Sequence, residues 1–146
     1  MLLKKLGLAA AVLLVSSAPA WAEISCGSIP FEPAMPTAAD MASKSAADAE
    51  TALHDAFQDI KHWQGDLKTY RDCTDKVGSQ TQGAIASLDK VKDADKIKDL
   101  QSQKQEADHL FNQSIDREEK VVNMFHAAQT AYCMRSDSDK SKCPKQ

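Results

Sequence analysis

The chain has 146 residues, enough for one domain, and carries 18 Lys and Arg against 21 Asp and Glu. Its formal charge of −3 excludes a strongly basic protein, so neither nucleic acid nor anionic lipid is expected as a partner. The sequence contains no nucleophile elbow, Gly-rich phosphate loop or zinc-helix motif, and an enzyme is therefore not expected.

The first segment has the parts of a secretory signal peptide. Two lysines precede an apolar stretch, Leu6 to Val15, which is followed by small residues that end at Ala22. This stretch is about half the ~20 residues that a transmembrane helix needs, so cleavage is predicted rather than anchoring. Residues 1–22 are the predicted leader, and the mature chain is expected to be periplasmic or secreted, without stable membrane insertion.

All four cysteines follow the predicted leader: Cys26, Cys73, Cys133 and Cys143. An even number of cysteines in an oxidising compartment predicts two disulfide bonds. None of them forms a Cys-x-x-Cys pair, which argues against a thioredoxin-like redox motif, a zinc ribbon and a covalently attached haem.

Residues 23–36 form a predicted N-terminal arm. Pro30, Pro33 and Pro36 each fix a backbone φ angle and remove a hydrogen-bond donor. The arm is therefore expected to be extended and to lie along its own domain.

A long helix is predicted from Thr37, as N-cap, to Val77, because Asp40 lies in its first turn and no proline interrupts it. Residues of one face recur at spacings of three and four and predict a buried seam: Ala56, Ile60, Trp63, Leu67, Tyr70, Thr74, Val77, Thr81, Ala84, Leu88 and Val91. A kink or break is expected between Gly78 and Gly83, since glycine weakens a helix.

A second long helix is predicted from about Asp95 to Met134. Its seam has the same spacing and comprises Ile97, Leu100, Lys104, Ala107, Phe111, Ser114, Glu118, Val121, Phe125, Ala128 and Tyr132. The phase of the two seams breaks across residues 92–96, so a turn is expected there or at the glycines. Residues 37–134 are thus predicted to be all-α, as a long antiparallel helical hairpin or a small bundle.

Chain length limits the pairing of the first cysteine. A straight helix from Thr37 to Cys73 spans ~54 Å, whereas the arm from Cys26 reaches at most ~36–40 Å. A Cys26–Cys73 bridge therefore requires that the helix start nearer Ser45 or bend at Gly65.

Residues 135–146 form a predicted polar tail, closed by a cysteine or left free. Pairing Cys26 with Cys133 would leave Cys73 and Cys143 unpaired, because the tail could not then return to Cys73. Cys26–Cys73 with Cys133–Cys143 is the favoured connectivity, and the other scheme stays open.

One set of residues combines a Cys near the predicted mature N-terminus, a Pro-x-x-Pro arm, a Met, and an aromatic helix that ends in Tyr-x-x-Cys: Cys26, Pro33, Pro36, Met41, Phe57, Tyr70 and Cys73, with residues 107–112, Phe125 and Tyr132 in the second helix. In these residues the chain resembles a group of uncharacterised short exported proteins of proteobacterial type. The resemblance implies a fold and a pairing of Cys26 with Cys73. It implies no activity, and the Cys133 and Cys143 pair is an addition to the pattern of the group.

A non-covalent haem bundle is the alternative to a binding or structural protein. Met41 and His126 lie near matching ends of the two helices and could be its axial ligands. Two helices cannot enclose a haem alone, so a dimer or a split first helix would be needed. His54 and His62 are eight residues apart, too far along a helix to share a metal. No cofactor is therefore expected, and Met41 is interpreted as a core residue.

A non-enzymatic, protein-binding or structural role in the cell envelope is the expected function. The seams form the candidate interaction surface, for a protein partner or a homo-oligomer, through Ile60, Trp63, Leu67, Tyr70, Phe125 and Tyr132. The chain has few other elements to cover these side chains. Trp63, the only tryptophan after the leader, is expected to contribute most.

Overall fold

The structure, a computed structural model, describes residues 26–144. Its helices are α1 (Ala38–Ser43), α2 (Ala46–Ala86) and α3 (Ala94–Cys133), followed by a 3-10 turn at Lys140–Lys142. Within this range no helix is both long and apolar enough to cross a bilayer. The predicted leader and residues 23–25 lie outside the described residues.

Two long antiparallel helices form the body of the molecule, which confirms the predicted all-α hairpin. α2 has 41 residues and α3 has 40, so each is ~60 Å long. α2 continues through Gly78 and Gly83, and the break predicted there is wrong. A glycine costs a helix ~1 kcal/mol relative to alanine, and packing of the long seam against α3 outweighs that cost.

The turn between the helices is residues 87–93, which overlaps the alternative turn predicted from the phase of the seams. One carboxylate oxygen of Asp89 accepts hydrogen bonds from the backbone N–H groups of Val91 and Lys92, each at 2.9 Å. The Asp93 carboxylate accepts from the N–H of Asp89 at 3.0 Å. The N–H groups of Lys92 and Val91 lower the pKa of Asp89, so the turn favours an ionised Asp89.

α1 is separate from α2, and the single helix predicted from Thr37 is therefore wrong. Thr37 is an N-cap as predicted: its hydroxyl accepts from the N–H of Asp40 at 3.1 Å, and Asp40 accepts from its N–H at 2.8 Å. Ser45 then caps α2 by accepting from the N–H of Asp48 at 3.1 Å. The break lets α1 pack against α3 with Met41 fully buried.

The seams meet in a core that thins towards the turn. The core of the hairpin at the α1 end is formed by large side chains, Ile60, Trp63, Leu67, Tyr70, Val121 and Tyr132 among them. Near the turn, the buried residues of α2 are the small Thr74, Gly78, Thr81 and Ala84. Val91, predicted as the last seam residue, is 85% exposed because it lies in the turn beyond the helix.

The Pro-rich arm lies along the hairpin, as predicted. The Trp63 indole N–H donates to the carbonyl of Pro30 at 3.2 Å, and Ile29 is buried in the same cluster. An ion pair of 3.0 Å joins Glu32 to Lys120 of α3. The arm therefore adds a third layer over α2 and α3.

Both disulfides have the favoured connectivity. Cys26–Cys73 joins the arm to α2, and Cys133–Cys143 closes the tail onto the end of α3, each with 5.8 Å between Cα atoms. The first bridge is possible because α2 begins just after Ser45, one of the two conditions that the chain lengths impose.

The polar tail is closed by its cysteine and forms specific contacts with α1. Arg135 donates to the carbonyls of Met41 and Lys44, the latter at 2.8 Å. Its guanidinium also binds both carboxylate oxygens of Asp137 at 2.9 Å and lowers the pKa of that carboxyl. The carbonyl groups at the end of α1 thereby gain donors that the helix itself cannot supply.

Candidate functional site: the open face of the hairpin

The described part of the arm covers one side of the α2–α3 seam, where Ile29 and Pro30 contact it. The side that carries Phe57 is partly exposed. There, residues seven apart align along each helix and face one another across the seam. We define the open face by these residues: Phe57, Gln64 and Arg71 on α2, and Phe111, Glu118 and Phe125 on α3. Three contacts across the seam, between Phe57 and Phe125, Gln64 and Glu118, and Arg71 and Glu118, fix this register.

The centre of the open face is a charge-paired cluster. Arg71 Nη1 lies 2.6 Å from one oxygen of Glu118, and Gln64 donates to the other oxygen at 2.6 Å. Arg71 also donates to the hydroxyl and the carbonyl of Ser114, each at 2.8 Å. Because the Arg71 and Glu118 side chains are only 20% and 27% exposed, this pairing holds the two helices in one register.

The end of the open face nearest the tail is aromatic and partly exposed. The Phe57 and Phe125 ring centroids are 6.1 Å apart, and the Lys61 ammonium lies 5.6 Å from the Phe57 centroid. Phe57 is 45% exposed. A shallow cavity of about 310 Å³ adjoins both aromatic rings. Exposed aromatic side chains next to a cation resemble the centres of protein interfaces.

The predicted interaction residues lie inside the protein, with one exception. Ile60, Trp63, Leu67, Tyr70 and Tyr132 are each 5% exposed or less. The expectation that they form an accessible surface is therefore wrong for these five, because the opposite seam and the arm cover them. The sixth, Phe125, is partly buried and contributes to the open face.

Tyr70 is the one predicted residue that leaves a polar atom unsatisfied. Its hydroxyl is buried and has no hydrogen-bond partner among the described residues. Burial, and then the negative charge of Glu106, raise the pKa of this hydroxyl above its ordinary value of 10.0.

The sequence patterns did not single out Gln64, Arg71 or Phe57 as site residues. The available signal was that these three residues are seven positions apart and lie beside the seam. Phe111, Glu118 and Phe125 have the same spacing on the second helix. Glu118 is predicted only as a member of the seam of the second helix. Its two partners on α2 show how a carboxylate is accommodated at that position.

The residues of the haem alternative occupy different environments. Met41 is fully buried among Ala49, Leu53, Ala128 and Tyr132, so its thioether is occupied in core packing. His126 is exposed and its ring lies beside Phe125. Among residues 26–144, no three His, Cys, Asp or Glu side chains are grouped to hold a metal ion.

Comparison of the chain with protein-family models, with curated proteins and with solved structures finds no match. The geometry of the open face is thus the basis on which a function can be proposed.

Proposed function

We propose that this chain is an exported, non-enzymatic helical module that binds a protein, or a second copy of itself, through the open face. The two disulfides support export, since such bonds persist in oxidising compartments. The predicted cleavage after Ala22 would release the mature chain into the periplasm or the medium.

The exposure of Phe57 carries this proposal. A phenylalanine that could have packed in the seam is 45% exposed, although Phe125 lies within contact distance. Burying a large apolar side chain completely is worth roughly 1.5–3 kcal/mol. A partner that covers the exposed part of Phe57 would gain part of this energy without reorganising the helices, because the Arg71–Glu118 pair already fixes their register.

A binding role also fits the use of the buried polar groups. Arg71 and Glu118 bind each other and groups of the hairpin, and Arg135 binds carbonyls of α1. These ionic side chains stabilise the fold through contacts within the chain. The partly exposed aromatic end of the open face takes no part in these contacts, and its rings remain accessible to a partner.

Two matched variants test the proposal. Phe57→Ser removes the exposed aromatic ring of the open face, and Phe31→Ser removes a ring of the arm that is 90% exposed. Each variant, and the wild type, is expressed in the native host and cross-linked in intact cells. We expect one specific adduct in the wild type and in Phe31→Ser, and its loss in Phe57→Ser. The mass of the adduct separates a second copy from another protein.

Loss of the adduct in Phe31→Ser alone, or no adduct in the wild type, would overturn the proposal. Circular dichroism must show that Phe57→Ser remains helical, so that unfolding does not explain its effect. Export has its own test: the intact mass of the protein from the envelope should correspond to a chain that begins at Glu23 and contains two disulfides. A retained Met1 would contradict it.

A further inference from the structure

The tail that follows α3 lies against the aromatic end of the open face. It leaves α3 at Cys133 and is joined back to it at Cys143 by the second disulfide. Just before this bridge, the Lys142 ammonium lies 3.5 Å from a carboxylate oxygen of Glu50, so the tail crosses from α3 to α2. Lys142 also lines the cavity of about 310 Å³ beside Phe57. The tail is therefore one wall of that cavity.

The tail also covers Tyr132, an aromatic residue that lines the same cavity. The backbone N–H of Asp139 donates to the Tyr132 hydroxyl at 3.1 Å, and Cys143 packs against the cluster to which Tyr132 belongs. With the tail in place, Tyr132 is 1% exposed. Movement of residues 139–144 away from α3 would uncover the hydroxyl end of the Tyr132 ring beside Phe57.

The disulfide is the strongest contact that holds this part of the tail. Residues 139–142 are all polar and exposed. Lys140 donates to the carbonyl of Cys133 at 2.5 Å, and Lys142 pairs with the partly exposed Glu50. Surface contacts of this kind contribute little to stability, because water and salt compete for the charged groups. Without the bridge, residues 139–142 would therefore separate from α3.

The first disulfide has a different setting, because other contacts hold the arm on α2. Close to Cys26, Ile29 is buried and the carbonyl of Pro30 accepts a hydrogen bond from Trp63. With the bridge to Cys73 open, the arm would still contact α2, and the two thiols would stay close enough to re-form the bond. The thiols of the second bridge would move apart, which lowers their effective concentration and favours the reduced form.

We propose that the Cys133–Cys143 disulfide is a redox switch that controls access to the aromatic end of the open face. The reductant is a dithiol: one thiolate attacks a sulfur of the bridge to form a mixed disulfide, and the second then displaces the protein thiolate. The two cysteines gain two electrons and two protons, and the dithiol becomes a disulfide. The opened form exposes Tyr132 beside Phe57. That this form binds the partner more strongly rests on the proposed function.

Selective reduction is tested on the purified protein with both disulfides formed. The protein is equilibrated with graded mixtures of reduced and oxidised dithiothreitol, alkylated, and analysed by peptide mass. We expect half-reduction of Cys133–Cys143 at a ratio of reduced to oxidised dithiothreitol at least tenfold below that for Cys26–Cys73. Reduction of both bridges at the same ratio, or of Cys26–Cys73 first, would overturn the proposal.

Opening of the tail has its own readout, the rate at which N-acetylimidazole acetylates each tyrosine. Tyr132 should react several times faster in Cys133→Ser/Cys143→Ser than in the oxidised wild type. Tyr70, which is 5% exposed in the other core cluster, should react equally slowly in both. Cys26→Ser/Cys73→Ser is the matched control and should leave Tyr132 protected. Equal Tyr132 rates in the two double variants would overturn the proposal. If circular dichroism shows that a variant has lost its helices, wild type reduced only at Cys133–Cys143 replaces it.

Cross-linking through a photoreactive phenylalanine analogue at position 57 separates the switch from the proposed function. A severalfold higher adduct yield in Cys133→Ser/Cys143→Ser than in the wild type is the expected result. Equal yields would overturn control of binding by the disulfide. Absence of adducts from both proteins would contradict the proposed function, whereas the thiol and tyrosine measurements would still decide whether the tail is a redox switch.

Discussion

Replacing Glu118 with alanine should destabilise the protein by about 2 kcal/mol. Removing one partner of a fully buried ion pair costs about 3–5 kcal/mol, because the other charge is left without compensation. Here Arg71 remains 20% exposed and keeps its two hydrogen bonds to Ser114. The loss in free energy of unfolding should therefore be close to that of a hydrogen bond to a charged group, about 1.5–3 kcal/mol. This loss includes the hydrogen bond that Gln64 donates to Glu118.

Urea unfolding followed by far-UV circular dichroism, with both disulfides intact, measures this loss. With a slope of about 1–3 kcal/mol per molar urea, the midpoint should fall by about 1 M. Glu119→Ala, at an exposed position one residue along α3, should change stability by less than about 0.5 kcal/mol. The reasoning is refuted if both variants lose the same amount.

The double variant Arg71→Leu/Glu118→Leu separates the pair from its surroundings. Replacing a buried ion pair with apolar residues is often neutral or stabilising by about 1–4 kcal/mol. We therefore expect the double variant to be more stable than Glu118→Ala. A double variant that is even less stable would show that the pair itself contributes a large net stabilisation.

Three further predictions concern the helices, the arm and the turn. Gly65→Ala and Gly83→Ala should each stabilise the protein by about 0.5–1 kcal/mol in urea, because no atom lies within 4 Å of the new Cβ; destabilisation would argue against a continuous α2. Replacing Cys26 and Cys73 with serine should cost about 4 kcal/mol in the same assay, from the 47-residue separation they bridge; a negligible loss would refute a docked arm. Because folding lowers the pKa of Asp89 below its ordinary value of 3.8, the ionised carboxylate stabilises the folded protein above about pH 3.8. This stabilisation is lost as the pH falls further. In Asp89→Asn the free energy of unfolding should fall less steeply than in the wild type as the pH is lowered through this range. An unchanged pH dependence would contradict the turn contacts.

The helical seams could be predicted because their signal is local and repeated. Spacings of three and four identified Ile60, Trp63 and Leu67 as residues that share one face, and the structure buries all three. The start of α2 was harder to predict. Ser45 and Asp48 carry a capping signal, but it lies within a segment rich in good helix formers, and the tertiary burial of Met41 decides the outcome.

The open face could not be predicted because it depends on where the arm lies. The prolines indicate an extended arm, yet they do not specify its register or the side of the hairpin that it covers. That register follows from the Cys26–Cys73 bond and from the contact of Trp63 with Pro30, both between residues distant in sequence. For the same reason Trp63, expected at an interface, is a core residue, and Phe57 is the aromatic residue left exposed.

Photo-cross-linking in living cells tests the proposed use of the open face most directly. A photoreactive phenylalanine analogue at position 57 reports any protein within a few ångströms of the open face. The same analogue at position 31, which is more exposed, reports non-specific encounters. We predict one discrete adduct from position 57 that is absent from position 31. Equal adduct patterns from the two positions, or none from position 57, would contradict a binding role for the open face.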